Sequence, residues 1–230
     1  ANLDYAIDPD TKKAIARHAE KIRGISAERI AEELSKILTG GGARRGFELM
    51  SETGLLKFIL PEVERMLGVE QPPRFHPEGD VWAHTMIMLE VLSSETAPHT
   101  NPALAWGALL HDVGKPVSRT EDERGLHFYG HTQLGERIAG DIAKRLKFSR
   151  VLGETVLALI HHHMVFMNVQ KMRPARLKRF LRMPDFDLHL NLHRLDCLAS
   201  HGMLDHYEFC RQQLKNAEQS DLHPPRLLTG

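Results

Sequence analysis

Apolar residues recur three and four apart along nearly the whole chain, and no segment alternates apolar with polar between turns. Helices rather than strands must therefore supply the core, and an all-α fold is predicted. Proline and glycine cut the pattern into pieces. Asp8-Pro9-Asp10-Thr11 opens a helix from Lys12 to Arg23 that Gly24 stops. Ser26 caps the next, Ala27 to Leu38, whose Ile30, Leu34 and Ile37 form one stripe. Gly40-Gly41-Gly42 reads as a flexible helix–helix turn, because no Lys-Ser/Thr follows at phosphate-loop spacing; a phosphate contact from Arg44 or Arg45 is the lesser alternative. The Leu55–Leu60 pattern ends at Pro61, and Glu62 to Leu67 forms a short helix. Pro72, Pro73 and Pro77 cannot lie inside a helix, so they mark a boundary. The expected organisation is a small helical module over 1–70, a larger helical bundle over 71–205 and an extension over 206–230. The whole reads as a piece of something longer.

Charge excludes some partners. Thirty basic and thirty acidic residues cancel, so no global field draws nucleic acid or an anionic membrane. An RNA contact needs a local patch, and Arg173, Arg176, Lys178, Arg179 and Arg182 supply a candidate after Pro174, beside the simpler reading of a solvated helix face. No run approaches the ~18 apolar residues of a membrane span. Cys197 and Cys210 fit neither a disulfide framework nor zinc-ligand spacing, which points to free thiols in a reducing, cytoplasmic setting.

The fifteen histidines are the unusual quantity, and their placement carries the chemistry. The apolar run Ala103 to Leu110 delivers His111-Asp112, an imidazole and a carboxylate that one metal ion can take together. Gly114 then turns the backbone. Lys115 either answers the helix dipole or holds a substrate phosphate. His84 shares a helical face with Val81, Ile87, Met88 and Val91; Asp80, four residues earlier, reads better as an N-cap than as a ligand. His131 keeps phase with Leu134, Ile138 and Ile142, with Thr132 as a cap and Gly135 leaving room for a ligand. In His161-His162-His163 the residues lie about 100° apart, so His162 and His163 are the inward candidates and His161 the spare. Asp196 sits among Leu192, Leu195 and Leu198, where a carboxylate needs a partner, Arg194 being the simplest. Five successive helices thus each bring an imidazole or carboxylate inward.

That order, His84, His111-Asp112, His131, His162/His163, Asp196, resembles the HD superfamily of metal-dependent phosphohydrolases. The resemblance implies one divalent ion on His84, His111, Asp112 and Asp196, and a second on Asp112, His131 and His162 with His163 in support. Nothing after His163 resembles the Asp-Gly-x-Gly-Tyr-Pro segment of cyclic-di-GMP phosphodiesterases, which disfavours that substrate. Leu3-Asp4-Tyr5-Ala6-Ile7-Asp8, Ser26-Ala27-Glu28-Arg29-Ile30, Arg74-Phe75-His76-Pro77-Glu78-Gly79-Asp80-Val81-Trp82, Phe128-Tyr129-Gly130-His131 and Pro224 to Gly230 are similar to the neck and HD region of bacterial CCA-adding tRNA nucleotidyltransferases and poly(A) polymerases.

The resemblance implies hydrolysis of phosphate esters on nucleotides or RNA ends, such as 2′,3′-cyclic phosphates, with Asp112 as bridging carboxylate and Lys115 on a non-bridging oxygen. Imidazole and carboxylate donors without thiolates fit Mn, Fe, Co, Ni or Mg. Nucleotide addition is not expected, since the Gly-Ser and paired aspartates of the family's polymerising head are missing. tRNA and a second copy of the chain are the expected macromolecular partners. The competing reading is an RNA-binding or dimerising module with a vestigial HD site.

Overall fold

The computed structural model describes residues 6–216 apart from 124. Leu3-Asp4-Tyr5 and Pro224 to Gly230 of the motifs above lie outside the described residues. Helix α1 (Pro9–His18) starts where Asp8 accepts the backbone N–H groups of Asp10 and Thr11 at 3.1 and 3.0 Å. It ends sooner than its periodicity predicts, passing into a 3₁₀ turn over Ala19–Gly24. Ala19 alone is buried across both segments, so little packing holds the longer α-helix together. Then come α2 (Ala27–Thr39), α3 (Ala43–Glu52) and two single turns, α4 (Leu56–Ile59) and α5 (Pro61–Glu64). Ser26 occupies the N-cap of α2 without making the capping bond. Arg44 pairs with Glu48 and Glu90, and Arg45 with Glu52, so both guanidiniums beside the glycine turn are engaged by protein carboxylates.

The bundle follows: α6 (Val81–Thr96), α7 (Pro102–Leu110) and a short α8 (Lys115–Ser118), then α9 (His131–Arg145) and α10 (Arg150–His162). A 3₁₀ segment, His163–Lys171, leads to α11 (Pro174–Leu181), α12 (Phe186–Ala199) and α13 (Asp205–Asn216). Every residue of α7 from Ala103 to Leu110 is buried, against α2, α6, α10 and α12. A helix apolar on all sides can only sit centrally, and this one carries the site at its C-terminal end. Its close approach to α10 depends on Gly107: a Cβ there would lie 2.9 Å from Leu159 Cδ1.

One apolar core runs from Leu34, Phe47 and Leu56 through Met88 and Leu109 to Ile160 and Leu195. It continues past the Pro72-Pro73 segment, so neck and bundle are packed together. Trp106 Nε1 donates to Ser35 Oγ at 3.0 Å, and Arg145 grips Glu62 through two bonds of 2.7 and 2.8 Å across the same join. A second small core, including Phe166, Phe186 and Cys210, lies under the 3₁₀ segment, α11 and α13. Arg173, Arg176, Lys178, Arg179 and Arg182 are all exposed on this side. Both cysteines are free and buried. Among the described residues no helix is long and apolar enough to cross a membrane.

The expectation that strands are absent is corrected by a hairpin, β1 (Thr120–Asp122) against β2 (Gly125–His127), antiparallel with Thr120 opposite His127 and Asp122 opposite Gly125. Neither strand has a buried face. No apolar alternation is therefore required, and the usual strand signal is missing.

Candidate metal centre

Five helices, α6, α7, α9, α10 and α12, bring side chains to a single buried centre. Asp80 caps α6 as predicted, accepting from Ala83 N at 2.7 Å and from Gly68 N at 2.6 Å. This fixes the first turn, and His84 one turn later is wholly buried. His111 and Asp112 follow α7 directly and are buried as well. His131 is the first residue of α9, preceded by Gly130 in a left-handed conformation (φ 74°) rather than capped by Thr132. His163 follows α10. Asp196 lies near the end of α12, partly open, and its Oδ1 is 3.2 Å from His84 Nε2. Arg194 instead pairs with Glu95, so it is not the partner of Asp196.

Ring tautomers can be deduced from the partners. His111 Nδ1 lies 2.9 Å from Ala108 O, His131 Nδ1 2.9 Å from Phe128 O and His163 Nδ1 2.7 Å from Ile160 O. A carbonyl oxygen only accepts, so each Nδ1 carries a proton and each ring turns its Nε2 to the centre. His84 Nδ1 likewise donates to Glu78 Oε1 at 2.7 Å. Outer partners of this kind orient metal-binding imidazoles.

The inner atoms fit a cation. His84 Nε2 and His111 Nε2 are buried without an aligned hydrogen-bond partner. His131 Nε2 and His163 Nε2 face one another at 3.2 Å. Burial lowers the pKa of both rings, that of His163 to about 4. At neutral pH two lone pairs would thus confront each other, an arrangement that a shared cation relieves. Asp112 joins the halves: its Oδ2 lies 3.2 Å from His111 Nε2, and its Oδ1 is 3.7 Å from both His131 Nε2 and His163 Nε2. His84, His111 and Asp112 form one set with ligand atoms within 4.8 Å of one another, and Asp112, His131 and His163 form a second.

Burial would raise the Asp112 carboxyl, but the charges of His111 and Lys115 outweigh it and hold the group ionised well below the usual range. Asp196 is depressed in the same sense, burial being overcome by His84 and His111. Burial also works against charge on His84, yet Asp196 and Glu78 carry its pKa up to about 9. Without an ion, the proton on His84 supplies the positive charge that these carboxylates require.

Two expectations need revision. His162 turns away from the centre: its ring packs edge-on against His161 and His189, and His163 occupies the inward position. The helix ends between the two residues, so projecting the phase of α10 could not choose between them. His161 is indeed the spare, paired with Glu136 at 2.7 Å. Gly135 makes room for backbone rather than for a ligand, since a Cβ there would lie 3.4 Å from Gly114 N and 3.3 Å from Ile160 Cγ2. The reciprocal position is tighter still, for a Cβ on Gly114 would overlap the His131 carbonyl oxygen.

Three nearby residues escaped the periodicity argument because they sit in the proline-rich loop. Gln71 Oε1 accepts from Lys115 Nζ at 2.6 Å, while the same ammonium holds Asp112 Oδ2 at 2.7 Å. Glu78 bridges His84 and His76, the latter at 2.9 Å. Only the lone polar side chains among prolines hinted at them. A pocket of about 670 Å³ opens above the centre, with Asp112, Lys115, His131, His163, Asp196 and His76 in its wall.

A helical bundle with an inward His-Asp pair, three further histidines and a closing aspartate defines a class, and the chain belongs to the HD domain family, whose pattern matches residues 81–216. Residues 4–67 match the "probable RNA and SrmB-binding site of polymerase A". The chain is homologous to the HD region of multifunctional CCA proteins. The Actinobacillus pleuropneumoniae serotype 5b (strain L20) protein of that name is 31% identical over 176 residues, covering 75% of this chain and 42% of the relative. The Nitrosococcus oceani protein is 32% identical over 190 residues, or 80% and 45%. The chain spans less than half the length of these relatives.

Proposed function

We propose that this chain is a metal-dependent phosphohydrolase acting on phosphate esters of nucleotides or RNA ends, 2′,3′-cyclic phosphates among them. RNA, tRNA included, is the partner that the neck suggests. The observation that carries the reading is the sharing of Asp112 between two sets of inward-facing imidazole nitrogens beneath an open pocket. His84, His111, Asp112 and Asp196 would hold one divalent ion, and Asp112, His131 and His163 a second. The donor set suits Mn, Fe, Co, Ni or Mg. When bound, such ions supply Lewis-acid polarisation of the phosphoryl group and a nucleophile from water at neutral pH.

The protein's own groups do the rest. Asp112 stays ionised and is pinned from the side by Lys115. Lys115 Nζ has three donors, of which Asp112 and Gln71 take two, leaving one N–H for a non-bridging phosphate oxygen in the pocket. Glu78 and the three backbone carbonyls keep the imidazoles in the ligating tautomer. Against a vestigial site stands the completeness of this set, in which every inward histidine keeps its orienting partner.

Elemental analysis of the purified chain and hydrolysis of bis-p-nitrophenyl phosphate with added Mn or Ni test the reading together. Bound transition metal and turnover that Asp112→Ala abolishes are expected. A chain free of transition metal and inert with both ions overturns it.

A further inference from the structure

The pocket is larger than a phosphate and its ions require. Its volume of about 670 Å³ lies within the roughly 300–1,000 Å³ range of sites that take whole small molecules. Its wall also carries aromatic rings, Phe75, Phe128 and Tyr129 among them. Tyr129 is 76% exposed and Phe75 52%, and both line the pocket that contains Lys115 and Asp112. Two exposed aromatic rings around one cleft leave apolar area in water that a flat ligand would cover.

Tyr129 is also braced. The ring of His127 lies flat beneath it, with centroids 5.0 Å apart and an interplanar angle of 13°. His127 is held in turn by Asp122 Oδ1 at 2.9 Å, from the opposite strand of the hairpin. The chain then turns through Gly130 at φ 74° directly into His131. A supported ring thus stands two residues from a ligand of the centre, and the hairpin that contributes nothing to the core serves to hold it. Beside the ring, Thr132 Oγ1 donates to Gln133 Oε1 at 2.9 Å, and both side chains line the pocket.

We infer that Tyr129, backed by His127, is the platform on which the base of a nucleotide stacks while its phosphate lies against Lys115 and the metal centre. The stacking contact recognises an aromatic base as such, because a π-face is common to all of them. The inference rests on the phosphohydrolase reading for the fate of the phosphate, though not for the stacking itself.

Adenosine 5′-monophosphate carries adenine where ribose 5-phosphate has its anomeric hydroxyl, and calorimetric titration of both into the full chain with Mn tests the platform. The nucleotide should bind tighter by roughly 5- to 150-fold, the range expected for one base on one aromatic ring. Tyr129→Ala should erase that preference without changing the affinity for ribose 5-phosphate, whereas Tyr129→Phe and Tyr129→Trp should keep it. Tyr129 is exposed, so these variants test binding rather than folding. Equal affinities, no measurable binding of the nucleotide, or a preference that survives Tyr129→Ala each overturn the inference. Turnover of bis-p-nitrophenyl phosphate with equal affinity for the nucleotide and ribose 5-phosphate removes the platform and leaves the hydrolase. A Tyr129-dependent preference without turnover does the reverse.

Discussion

Gly114→Ala is a one-methyl change that should dismantle half of the centre. A Cβ at this position would overlap the His131 carbonyl oxygen, lie 2.6 Å from the Gly135 nitrogen and 3.0 Å from its Cα. All three obstacles are backbone, so no side chain can rotate aside. Relief requires the start of α8 and the first turn of α9 to part by about an ångström. Overpacking of a close-packed interior costs about 1–3 kcal/mol, and an obstacle made only of backbone belongs at the top of that range. For a chain of this size, about 3 kcal/mol corresponds to a fall of roughly 6–12 °C in Tm. The separation also draws Asp112 away from His131, now 3.7 Å apart between Oδ1 and Nε2. A misplacement of about 1 Å typically costs on the order of 100-fold in rate. Differential scanning calorimetry, elemental analysis and phosphodiester hydrolysis should together show a lower Tm, less bound metal and at least that loss of activity. Gly140→Ala, within α9, is the control. Its Cβ would meet only Leu157 Cδ2, at 4.0 Å, and the gain in helix propensity, up to about 1 kcal/mol, should leave Tm unchanged or raised. If Gly114→Ala melts with the parent chain and keeps its full metal content, the close approach of α8 and α9 is not what assembles the site.

Chelation should lower Tm and added Mn or Ni restore it, by about 2.7 kcal/mol at a hundredfold excess over Kd; a melt indifferent to both would mean that the facing His131 and His163 nitrogens are not a metal site. His163→Ala should lose metal and about two or more orders of magnitude in turnover, while His162→Ala keeps both; the opposite outcome would return His162 to the centre. Stability should fall in acid partly through His193, which is stacked flat on Phe166 and whose pKa burial lowers to about 4. Its folded pKa lies below the unfolded value of about 6.5, so the unfolded chain binds more protons between those limits. The contribution, on the order of 3 kcal/mol, is complete above pH ~6.5, lost as pH falls towards ~4 and constant below. Urea midpoints at pH 7 and 4.5 should therefore differ less in His193→Leu than in the parent, and an unchanged difference would exclude His193 as a source.

Helical phase is a local property, and it carried far here. The periods around Val81, Ala103 and Leu192 placed His84, His111-Asp112 and Asp196 inward, where the structure has them, because a residue's side of a helix follows from its neighbours three and four away. The all-helical core was legible for the same reason. Where no period exists, this source of information ends. Gln71, His76 and Glu78 reach the site from a proline-rich loop, and Tyr129 from a hairpin without a buried face, so nothing in their immediate neighbours records the destination. The choice of His163 over His162 falls at the end of a helix, where the last ring's direction depends on how α10 packs against α7 and α9. Gly135 is the sharpest instance. The sequence shows a missing side chain but not what fills the space, and only folding brings Gly114 against it. Sequence thus determined which residues face inward within a helix. Tertiary structure decided which of them meet, because a meeting is fixed by contacts between segments far apart in the chain.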